Sequence, residues 1–322
     1  METLFVSKDA QLKRRENTLF LTVNGMSKPY PVEKIRHIVM LSEAKMNSRI
    51  LCLCGMHGIR ISFFDYYGYF KGAFEPVDQS PSGRVKLEQS RCILDDKLKM
   101  VIAREIVRGA AHNMQANLLY YKYRGVDELN MPICQMDRHI DKIDKTASCE
   151  ELMGVEGNLH QIYYGAWKLI DPALDFGRRI RRPPNNPVNC LISFLNQMTY
   201  TVVRHEIFKT HLDQSLSWLH SPSSNRASLS LDLAELFKPI LTDALIFKMV
   251  RKGMLRENWF DQKDGVCLLS ETGRKHVAMQ FSTRLEETLK GRTYREWMYK
   301  EALNLERHVM GIYEYESFKR KI

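Results

Sequence analysis

The change in hydrophobic periodicity near residue 80 constrains the fold of this chain more than any other feature. Before it, short β-branched or aromatic runs are separated by Asn, Gly, Pro and Ser, a pattern typical of strands. The runs are TLFVS, TLFLTV, IRHIVML and IRISFFDYYGYFKGAF. After residue 85 a helical period dominates, and Gly and Pro fall mostly between the segments. The pattern therefore predicts an α+β protein, with a small β-rich domain at 1–80 and a larger all-α domain at 81–322.

Several single elements can also be predicted. The stretch EPVDQSPSGR, at 75–84, carries the turn and linker residues of the domain boundary. A short helix is expected at NSRILCLCGMHG, with Asn47 as its N-cap. The segment FDQKDGVCLLSETGRKH predicts a small hairpin or wing with its turn at Asp264 and Gly265. The helices of the second domain are expected near 85–123, 149–170, 187–210, 229–252, 272–290 and 293–310.

Composition limits the class of protein. Lys and Arg outnumber Asp and Glu by 48 to 38, and the net charge of +10 favours a polyanionic partner such as nucleic acid or an anionic membrane surface. The seven cysteines have no zinc-site spacing, which favours reduced thiols in a cytoplasmic protein. Basic residues precede any long apolar run, so neither a signal nor a transit peptide is expected. The longest uncharged stretch, 183–203, is broken by Pro and Asn and predicts no membrane span.

Glu156 lies in a helix that is otherwise mostly apolar. Ser148 and Glu151 form a plausible capping box at the start of this helix. Gly154 and Gly157 flank Glu156, and each glycine inside a helix costs about 1 kcal/mol relative to alanine. Such glycines are tolerable where something must approach the backbone closely. A buried carboxylate needs a partner, so Glu156 is either a core-edge residue bonded to a tyrosine or arginine, or a functional group.

Glu156 and His160 stand at i and i+4, which is a spacing that a metal site can use. Two ligands alone make a weak motif, however, because structural histidines on apolar helix faces are common. His160 is therefore not included in the predicted ligand set.

The stretch WLHSPSSNRASLSLDLAELFKP, at 218–239, brings further candidate ligands together. A helix that starts near Ser228 places Asp232 and Glu235 on one side, away from its core face. His220 lies in the loop before it, which is long enough to fold back toward the start of the helix. A histidine with carboxylates suits Mn²⁺ or Mg²⁺. The alternatives that remain open are a solvated acidic face for the two carboxylates and an ordinary loop position for the histidine.

Basic residues surround these segments in the sequence. Arginines and lysines neutralise backbone phosphates, and bases around acids suit metal-dependent phosphodiester chemistry. The candidates for DNA binding are Arg178, Arg179, Arg181, Arg182, Arg226, Lys248, Arg251, Lys252 and Arg256.

Three motifs carry a resemblance to a known family. They are LMGVEGNLHQIYY, RRPPNNPVNCLISF and WLHSPSSNRASLSLDLAELFKPILTD, and together they resemble the CRISPR-associated integrase of spacer acquisition. The resemblance extends to LKRRENTLFL and FFDYYGYFKGAFEP near the start and to LLSETGRK and YREWMYKEALNLERHVMG near the end. It therefore covers nearly the whole chain.

The resemblance implies a fold, a site and partners. The family has an amino-terminal β domain joined to a larger α-helical catalytic domain, and it forms a homodimer largely through the β domains. Its metal ligands map onto Glu156, His220 and Glu235, which would hold Mg²⁺ or Mn²⁺. Asp232 and Ser228 would support these ligands rather than bind the ion. The residues implied to bind DNA are Arg226, Arg178, Arg181, Arg182, Lys248 and Arg251.

The function that the resemblance implies is a metal-dependent transesterification. The 3′-hydroxyl of a protospacer DNA end attacks a phosphodiester at the edge of a CRISPR repeat, and water in place of the hydroxyl gives nuclease activity. Double-stranded and branched DNA would be the substrates, with a small ferredoxin-like adaptation protein as partner. Many members of the family have Asn-Tyr or Ser-Tyr at the position where this chain has Ser193 and Phe194. Tyr200 is close in the same helix.

Two other functions remain open from the residues alone. The first is a non-catalytic DNA-binding scaffold, in which the segment DGVCLLSETGRK forms a winged-helix-like element and the acidic residues pair with arginines. The second is a small-molecule phosphoesterase, which the many arginines make less suitable. Metal dependence and a preference for DNA over nucleotides distinguish the integrase from both.

Overall fold

The computed structural model describes residues 2–65, 67–77, 82–221 and 227–321. The chain forms two compact units, each made of three segments of sequence. The first unit comprises Met1–Pro81, Ile180–Gln197 and Arg256–Thr283. The second comprises Ser82–Arg179, Met198–Leu255 and Arg284–Ile322. The predicted fold class, an amino-terminal β-rich region followed by a mostly helical domain, is confirmed.

Eight short strands form two four-stranded sheets in the amino-terminal region. They are β1 (Glu2–Val6), β2 (Ala10–Arg15), β3 (Thr18–Val23), β4 (Met26–Pro31), β5 (Ile35–Met40), β6 (Ala44–Lys45), β7 (Arg60–Phe64) and β8 (Phe70–Phe74). In the first sheet the order is β1-β5-β7-β8, with β1, β5 and β7 parallel and β8 antiparallel to β7. In the second the order is β4-β3-β2-β6, and β2, β3 and β4 form an antiparallel meander.

One apolar core lies in this region, and it includes residues from both sheets. Leu12 and Leu19 come from the meander, and Ile38 and Ile61 from the mixed sheet. The helix α1 (Ser48–Met56) adds Ile50 and Leu53 to the same core. The predicted N-cap of α1 is confirmed, since the Asn47 side chain accepts a hydrogen bond from the Ile50 amide.

The rest of the chain is mainly helical. The helices are α2 (Gly83–Leu94), α3 (Asp96–Lys122), α4 (Asn130–Ile140), α5 (Cys149–Gly165), α6 (Trp167–Ile170), α7 (Pro187–Phe208), α8 (Leu229–Lys238), α9 (Ala244–Arg251), α10 (Glu271–Glu286) and α11 (Tyr294–Val309). Single turns of 3₁₀-helix lie at Val32–Lys34, Asp127–Leu129, Ile143–Lys145, Pro172–Leu174 and Glu257–Trp259. No helix in the part of the chain that the structure describes is long and apolar enough to cross a membrane.

The predicted hairpin is present. Strands β9 (Phe260–Lys263) and β10 (Val266–Leu269) pair antiparallel, and Asp264 and Gly265 form the two-residue turn with positive φ angles of 51° and 75°. Such a turn needs φ > 0 at both positions, which Asp tolerates and Gly adopts without strain. A second, smaller pair is formed by β11 (Thr288–Leu289) and β12 (Arg292–Thr293).

The predicted helix over 229–252 contains a π-helical turn that periodicity does not reveal. The turn spans Pro239–Asp243 and joins α8 to α9. Proline has no N–H to donate, so Pro239 interrupts the regular hydrogen-bond ladder of the helix. Two side chains of α3 bind carbonyls at this point: Asn113 donates to the Leu236 carbonyl at 2.9 Å, and Asn117 donates to the Pro239 carbonyl at 2.8 Å. Two donors from α3 therefore hold the irregular turn in place.

A glycine allows α3 and α8 to approach each other closely. A Cβ at Gly109 would lie 2.7 Å from the Leu236 side chain and 2.3 Å from the Ser317 hydroxyl. No larger residue fits there without displacing α8. The helix that carries Glu235 is therefore positioned by tight contact with α3.

Candidate metal centre

Helices α5 and α8 bring three potential ligands together. One ligand atom from each of Glu156, His160 and Glu235 lies within 4.8 Å of the others. The Nε2 atom of His160 is 3.4 Å from Glu235 Oε2 and 3.9 Å from Glu156 Oε1. Both carboxylates are buried, so the alternative of a solvated acidic face is wrong for Glu235. This group is a candidate cation site.

The carboxylates of this cluster lack a full set of protein partners. Lys238 donates to Glu235 Oε1. Glu235 Oε2 is buried, and it has a 3.4 Å contact with His160 Nε2 but no well-formed hydrogen bond from the described residues. The ion pairs of the two glutamates among those residues involve only Lys238 and His160. A buried carboxylate oxygen without a donor is costly, so the geometry favours an additional cation.

Electrostatics separates the two glutamates. Burial and the neighbouring Glu235 carboxylate raise the pKa of Glu156. Burial acts in the same direction on Glu235, but Lys238 and His160 together hold its pKa below the usual range. Burial opposes the charge of Lys238, yet Glu235 and Tyr200 raise its pKa. The site therefore holds one ion pair, Glu235 with Lys238, beside a second carboxylate, Glu156, that is repelled by Glu235.

His220 is held by a separate set of contacts. Its Nδ1 lies 2.8 Å from Asp232 Oδ1, and its backbone N–H donates to the same oxygen at 3.0 Å. The amides of Trp218 and Leu219 donate to Asp232 Oδ2 at 2.7 and 3.0 Å. Asp232 is fully buried, so the alternative of a solvated face is wrong for it too. The carboxylate fixes both the loop and the histidine ring, which leaves the other ring nitrogen, Nε2, available as a ligand.

His220 is electrostatically coupled to the glutamate cluster, although it is not part of the group within 4.8 Å. Burial lowers the pKa of His220, but Asp232 first and then Glu235 and Glu156 raise it overall. Its role as a ligand stays a prediction. The alternative of an unconstrained loop histidine does not fit the two bonds to Asp232.

Ser228 contacts the loop that carries His220. Its hydroxyl donates to the Ser215 carbonyl at 2.9 Å and lies 2.7 Å from the Ser217 hydroxyl. Ser217 also bonds to the His220 carbonyl. The position of Ser228 is therefore compatible with a supporting role.

The predicted DNA-binding residues are placed as follows. Arg226 lies outside the described residues. Arg178, Arg181 and Arg182 are exposed, and the Arg182 guanidinium is 5.3 Å from the Tyr69 ring centroid. Arg251 stacks on Tyr121 at 5.1 Å, and Lys248 pairs with Glu287 at 3.8 Å. Phosphate binding by these residues stays a prediction.

Sequence reasoning assigned no role at the site to four residues, which are His160, Lys238, Tyr200 and Asp243. His160 was not included as a ligand, yet its ring lies between the two glutamates, and the i, i+4 spacing was the signal. Lys238 stands at i+3 from Glu235 as a single lysine on an apolar helix face. Its ammonium lies 4.9 Å from the Tyr200 ring centroid, so Tyr200 also belongs to this group. Burial raises the pKa of Asp243 to about 7, although Tyr163 and His160 act against it.

The glycines that flank Glu156 leave open space. A Cβ at Gly154 or Gly157 would meet no described atom within 4 Å. Packing against the described part of the protein therefore does not explain them. The space beside Glu156 is compatible with a bound group that approaches the backbone of α5.

Comparison with known proteins identifies the family. The family model described as CRISPR associated protein Cas1 matches residues 4–283. The CRISPR-associated endonuclease Cas1 2 of Moorella thermoacetica is 38% identical over 325 residues, covering 99% of each chain. The structure of a CAS1 protein from Thermotoga maritima is similar at a TM-score of 0.88 with 32% identity, covering 100% of both chains. A casposase bound to its integration product shares the fold at a TM-score of 0.85 with 18% identity, covering 99% of this chain and 94% of the casposase. With a family match over most of its length and a full-length relative, the chain belongs to the CRISPR-associated Cas1 family.

Proposed function

We propose that this protein is a metal-dependent DNA endonuclease and integrase of CRISPR spacer acquisition. It joins the 3′-hydroxyl ends of protospacer DNA to phosphodiesters at the edge of a CRISPR repeat, and it hydrolyses DNA when water replaces the hydroxyl. Family membership and the endonuclease names of its relatives support this assignment. The single observation that carries the metal dependence is that two buried glutamates, Glu156 and Glu235, lie close together while a lysine pairs with only one of them, Glu235.

The residues present fit a hard divalent cation. Glu156 and Glu235 supply carboxylate oxygens, and Glu235 Oε2 is buried without a well-formed hydrogen bond from the described residues. His220, as the resemblance implies, supplies a neutral ring nitrogen. Oxygen ligands with one imidazole suit Mg²⁺ or Mn²⁺. When bound, such an ion stabilises the negative charge that develops on the phosphoryl and attacking or departing oxygens.

Lys238 and Tyr200 act beside the ligands. Lys238 neutralises Glu235, and its ammonium lies over the Tyr200 ring. With Glu235 engaged by a divalent cation, the ammonium would be available to a nonbridging phosphate oxygen. A buried cation there stabilises the additional charge of the transition state without reorganisation.

Asp232 prepares His220 for ligation. The carboxylate accepts from the backbone amides of Trp218, Leu219 and His220, and it contacts Nδ1 of the His220 ring. This arrangement favours the tautomer with the proton on Nδ1, because only that tautomer donates to Asp232. Nε2 then carries the lone pair that a cation needs.

DNA is positioned by the basic surface. We assign this role to Arg226, Arg178, Arg181, Arg182, Lys248 and Arg251. The net charge of +10 and the exposure of the arginines at 178, 181 and 182 support the assignment. Contacts of this kind are largely independent of sequence and weaken as salt rises. The same proposal includes a cytoplasmic homodimer paired through a domain at 1–80, a catalytic domain at 81–322, and a ferredoxin-like adaptation partner.

The test is strand joining on branched, fluorescently labelled DNA with Mn²⁺, Mg²⁺ or a chelator. The variants are Glu156→Ala, His220→Ala and Glu235→Ala, and the matched control is Glu150→Ala, an exposed carboxylate at the start of α5. Loss of joining in the three variants and in chelator, with duplex binding kept and the control active, is the expected result. DNA binding without joining or cleavage under every condition would instead support the non-catalytic scaffold. Equal activity on free nucleotides and on DNA would support the small-molecule phosphoesterase.

A further inference from the structure

His160 has one ring nitrogen at the candidate metal centre and the other directed away from it. Nε2 faces Glu156 and Glu235, at 3.9 and 3.4 Å. Nδ1 is buried and has no hydrogen-bond partner among the described residues. The ring stacks on Tyr164, with centroids 5.6 Å apart and planes 22° from parallel, which limits its rotation. The ring is therefore held in an orientation that suits a ligand, with one polar atom unaccounted for.

Asp243 is a buried carboxylate that interacts electrostatically with His160, Lys238 and Glu235. Its side chain bonds to the Tyr163 hydroxyl, which in turn accepts from Asn117 at 2.8 Å. Its Oδ1 atom is buried and has no partner in the described part of the chain. The charge of Asp243 interacts with that of His160. Two buried polar atoms without partners, a potential donor and an acceptor, thus belong to residues that interact.

The π-helical turn explains why Asp243 lies on the same face of its helix as Glu235. Asp243 follows Glu235 by eight positions, and eight steps of a regular α-helix would rotate it about 80° away from Glu235. A π-helical turn inserts about one extra residue, so Asp243 takes the angular place of the seventh step, which is about 20° from Glu235. The bulge therefore returns an acidic side chain to the face of the helix that carries Glu235.

A histidine with one nitrogen at the site and an unpartnered N–H position, near a buried carboxylate with an unpartnered oxygen, suits a known arrangement of metal-binding histidines. A ligating imidazole binds through one nitrogen and donates the N–H of the other to a carboxylate, which fixes its tautomer and orientation. We propose that His160 is an additional nitrogen ligand of the cation through Nε2, and that Asp243 is the positioning residue that accepts from its Nδ1–H, directly or through one water. This inference rests on the metal site of the proposed function and adds a second histidine to it.

The test uses Mn²⁺ alone and requires no DNA. Electron spin echo measurements on the Mn²⁺-loaded protein detect ¹⁴N couplings from coordinated imidazoles, and a titration gives the Mn²⁺ affinity. The variants are His160→Ala, Asp243→Asn and the double variant, with the exposed residues His57→Ala and Asp141→Asn as matched controls. An amide at 243 presents an N–H to Nδ1 and favours the tautomer that cannot ligate through Nε2.

Both single variants are expected to lose one ¹⁴N coupling and to bind Mn²⁺ about 10–100-fold more weakly, while the double variant resembles His160→Ala. Mn²⁺ binding with an unchanged ¹⁴N signal in His160→Ala would overturn the inference and leave the proposed function intact. An unchanged ¹⁴N signal in Asp243→Asn would show that Asp243 does not position His160. Additive losses of Mn²⁺ affinity in the double variant would mean that Asp243 has only a structural role. The His160 side chain is 24% exposed, so we expect His160→Ala to fold. An absence of saturable Mn²⁺ binding in the wild type would overturn both this inference and the proposed function.

Discussion

Two pairs of buried glutamates in the helical part of the chain differ in how their oxygens are satisfied. Glu105 and Glu301 lie beneath the segment 310–321, and Glu156 and Glu235 lie at the candidate metal centre. Glu301 Oε1 accepts from the Tyr315 hydroxyl at 2.6 Å and from the Phe318 amide at 3.1 Å. In contrast, Glu235 Oε2 has no well-formed hydrogen bond from the residues that the structure describes.

The first pair, Glu105 and Glu301, binds the segment 310–321 to the helices. Glu105 accepts from the amide and hydroxyl of Ser317 and pairs with Lys319 at 2.6 Å and with Arg108. Each donor comes from the protein itself, so the desolvated charge is compensated without any ligand. The second pair has one lysine for two carboxylates. The comparison indicates that Glu105 and Glu301 hold the segment 310–321 through several protein donors, whereas Glu156 and Glu235, which have fewer protein donors, mark the site.

The largest expected effect separates chemistry from stability. Glu156→Gln removes one ligand and should reduce strand joining by about 10²–10³-fold, because charge on the transferring phosphate is no longer stabilised. The same change removes one of two repelling carboxylates, so thermal unfolding in chelator should occur at an equal or higher temperature. Strand-joining rates check the predicted loss of activity, and thermal unfolding midpoints of the same proteins check the predicted stability. A variant that unfolds earlier and still joins DNA would reverse the assignment.

Substitution of Glu301, in the pair with Glu105, is expected to lower stability and leave strand joining unchanged. Glu301→Ala leaves the Tyr315 hydroxyl and the Phe318 amide buried without an acceptor, which should lower the free energy of unfolding by about 3 kcal/mol. Strand joining well below the unfolding midpoint should remain at the wild-type rate. Glu314→Ala, an exposed acid on the same segment, is the control for denaturant unfolding. Loss of joining in a folded Glu301→Ala protein would break the distinction between the two pairs.

The pH dependence of stability sharpens the comparison. Burial raises the pKa of Glu301 from 4.5 to about 7, against the bonds from Tyr315 and Phe318. The folded state therefore keeps a proton that the unfolded chain loses, so this contribution to stability is present below about pH 4.5 and is lost as pH rises to about 7. The loss amounts to about 3 kcal/mol. Glu301→Gln should flatten unfolding free energies across this interval, and an unchanged slope would contradict the shift.

The smallest expected effect concerns the partner of Lys238. Tyr200→Phe keeps the ring beneath the Lys238 ammonium, 4.9 Å away, but removes the hydroxyl that hydrogen-bonds to Lys238. Loss of one hydrogen bond should slow joining by about 3–10-fold and leave stability nearly unchanged. Single-turnover kinetics on labelled branched DNA measure this. A loss as large as that of Glu156→Gln would give the Tyr200 hydroxyl a direct part in the chemistry.

Much of the fold follows from local patterns. The strand-rich start, the helix capped by Asn47 and the hairpin at Asp264 and Gly265 could be predicted because turn and cap residues act locally. Strands β2 and β4 were not predicted, since their residues are largely polar or exposed. Helix α4 was missed as well, because only Ile133 and Met136 are buried along its mixed sequence. The predicted segment 85–123 is two helices, since Asp95 caps a new one by accepting from the amides of residues 97 and 98.

The site depended on information that is not local. Residue types suggested an open set of Glu156, His220 and Glu235, but only the resemblance assigned them to one site, because nothing in their spacing shows that two distant helices meet. His160 was left out because its neighbour at i, i+4 is a weak signal by itself. Asp243 gave no signal, since its place beside the site depends on a π-helical turn, and that turn depends on Asn113 and Asn117 of α3.

Calorimetric titration with Mn²⁺ tests the central claim most directly, namely that the incompletely satisfied glutamates form the cation site. We predict saturable binding by the wild type, loss of that binding in Glu235→Gln, and wild-type binding in Glu301→Gln, whose carboxylate is already satisfied by protein donors. Equal Mn²⁺ binding by all three proteins, or binding lost only in Glu301→Gln, would contradict the account.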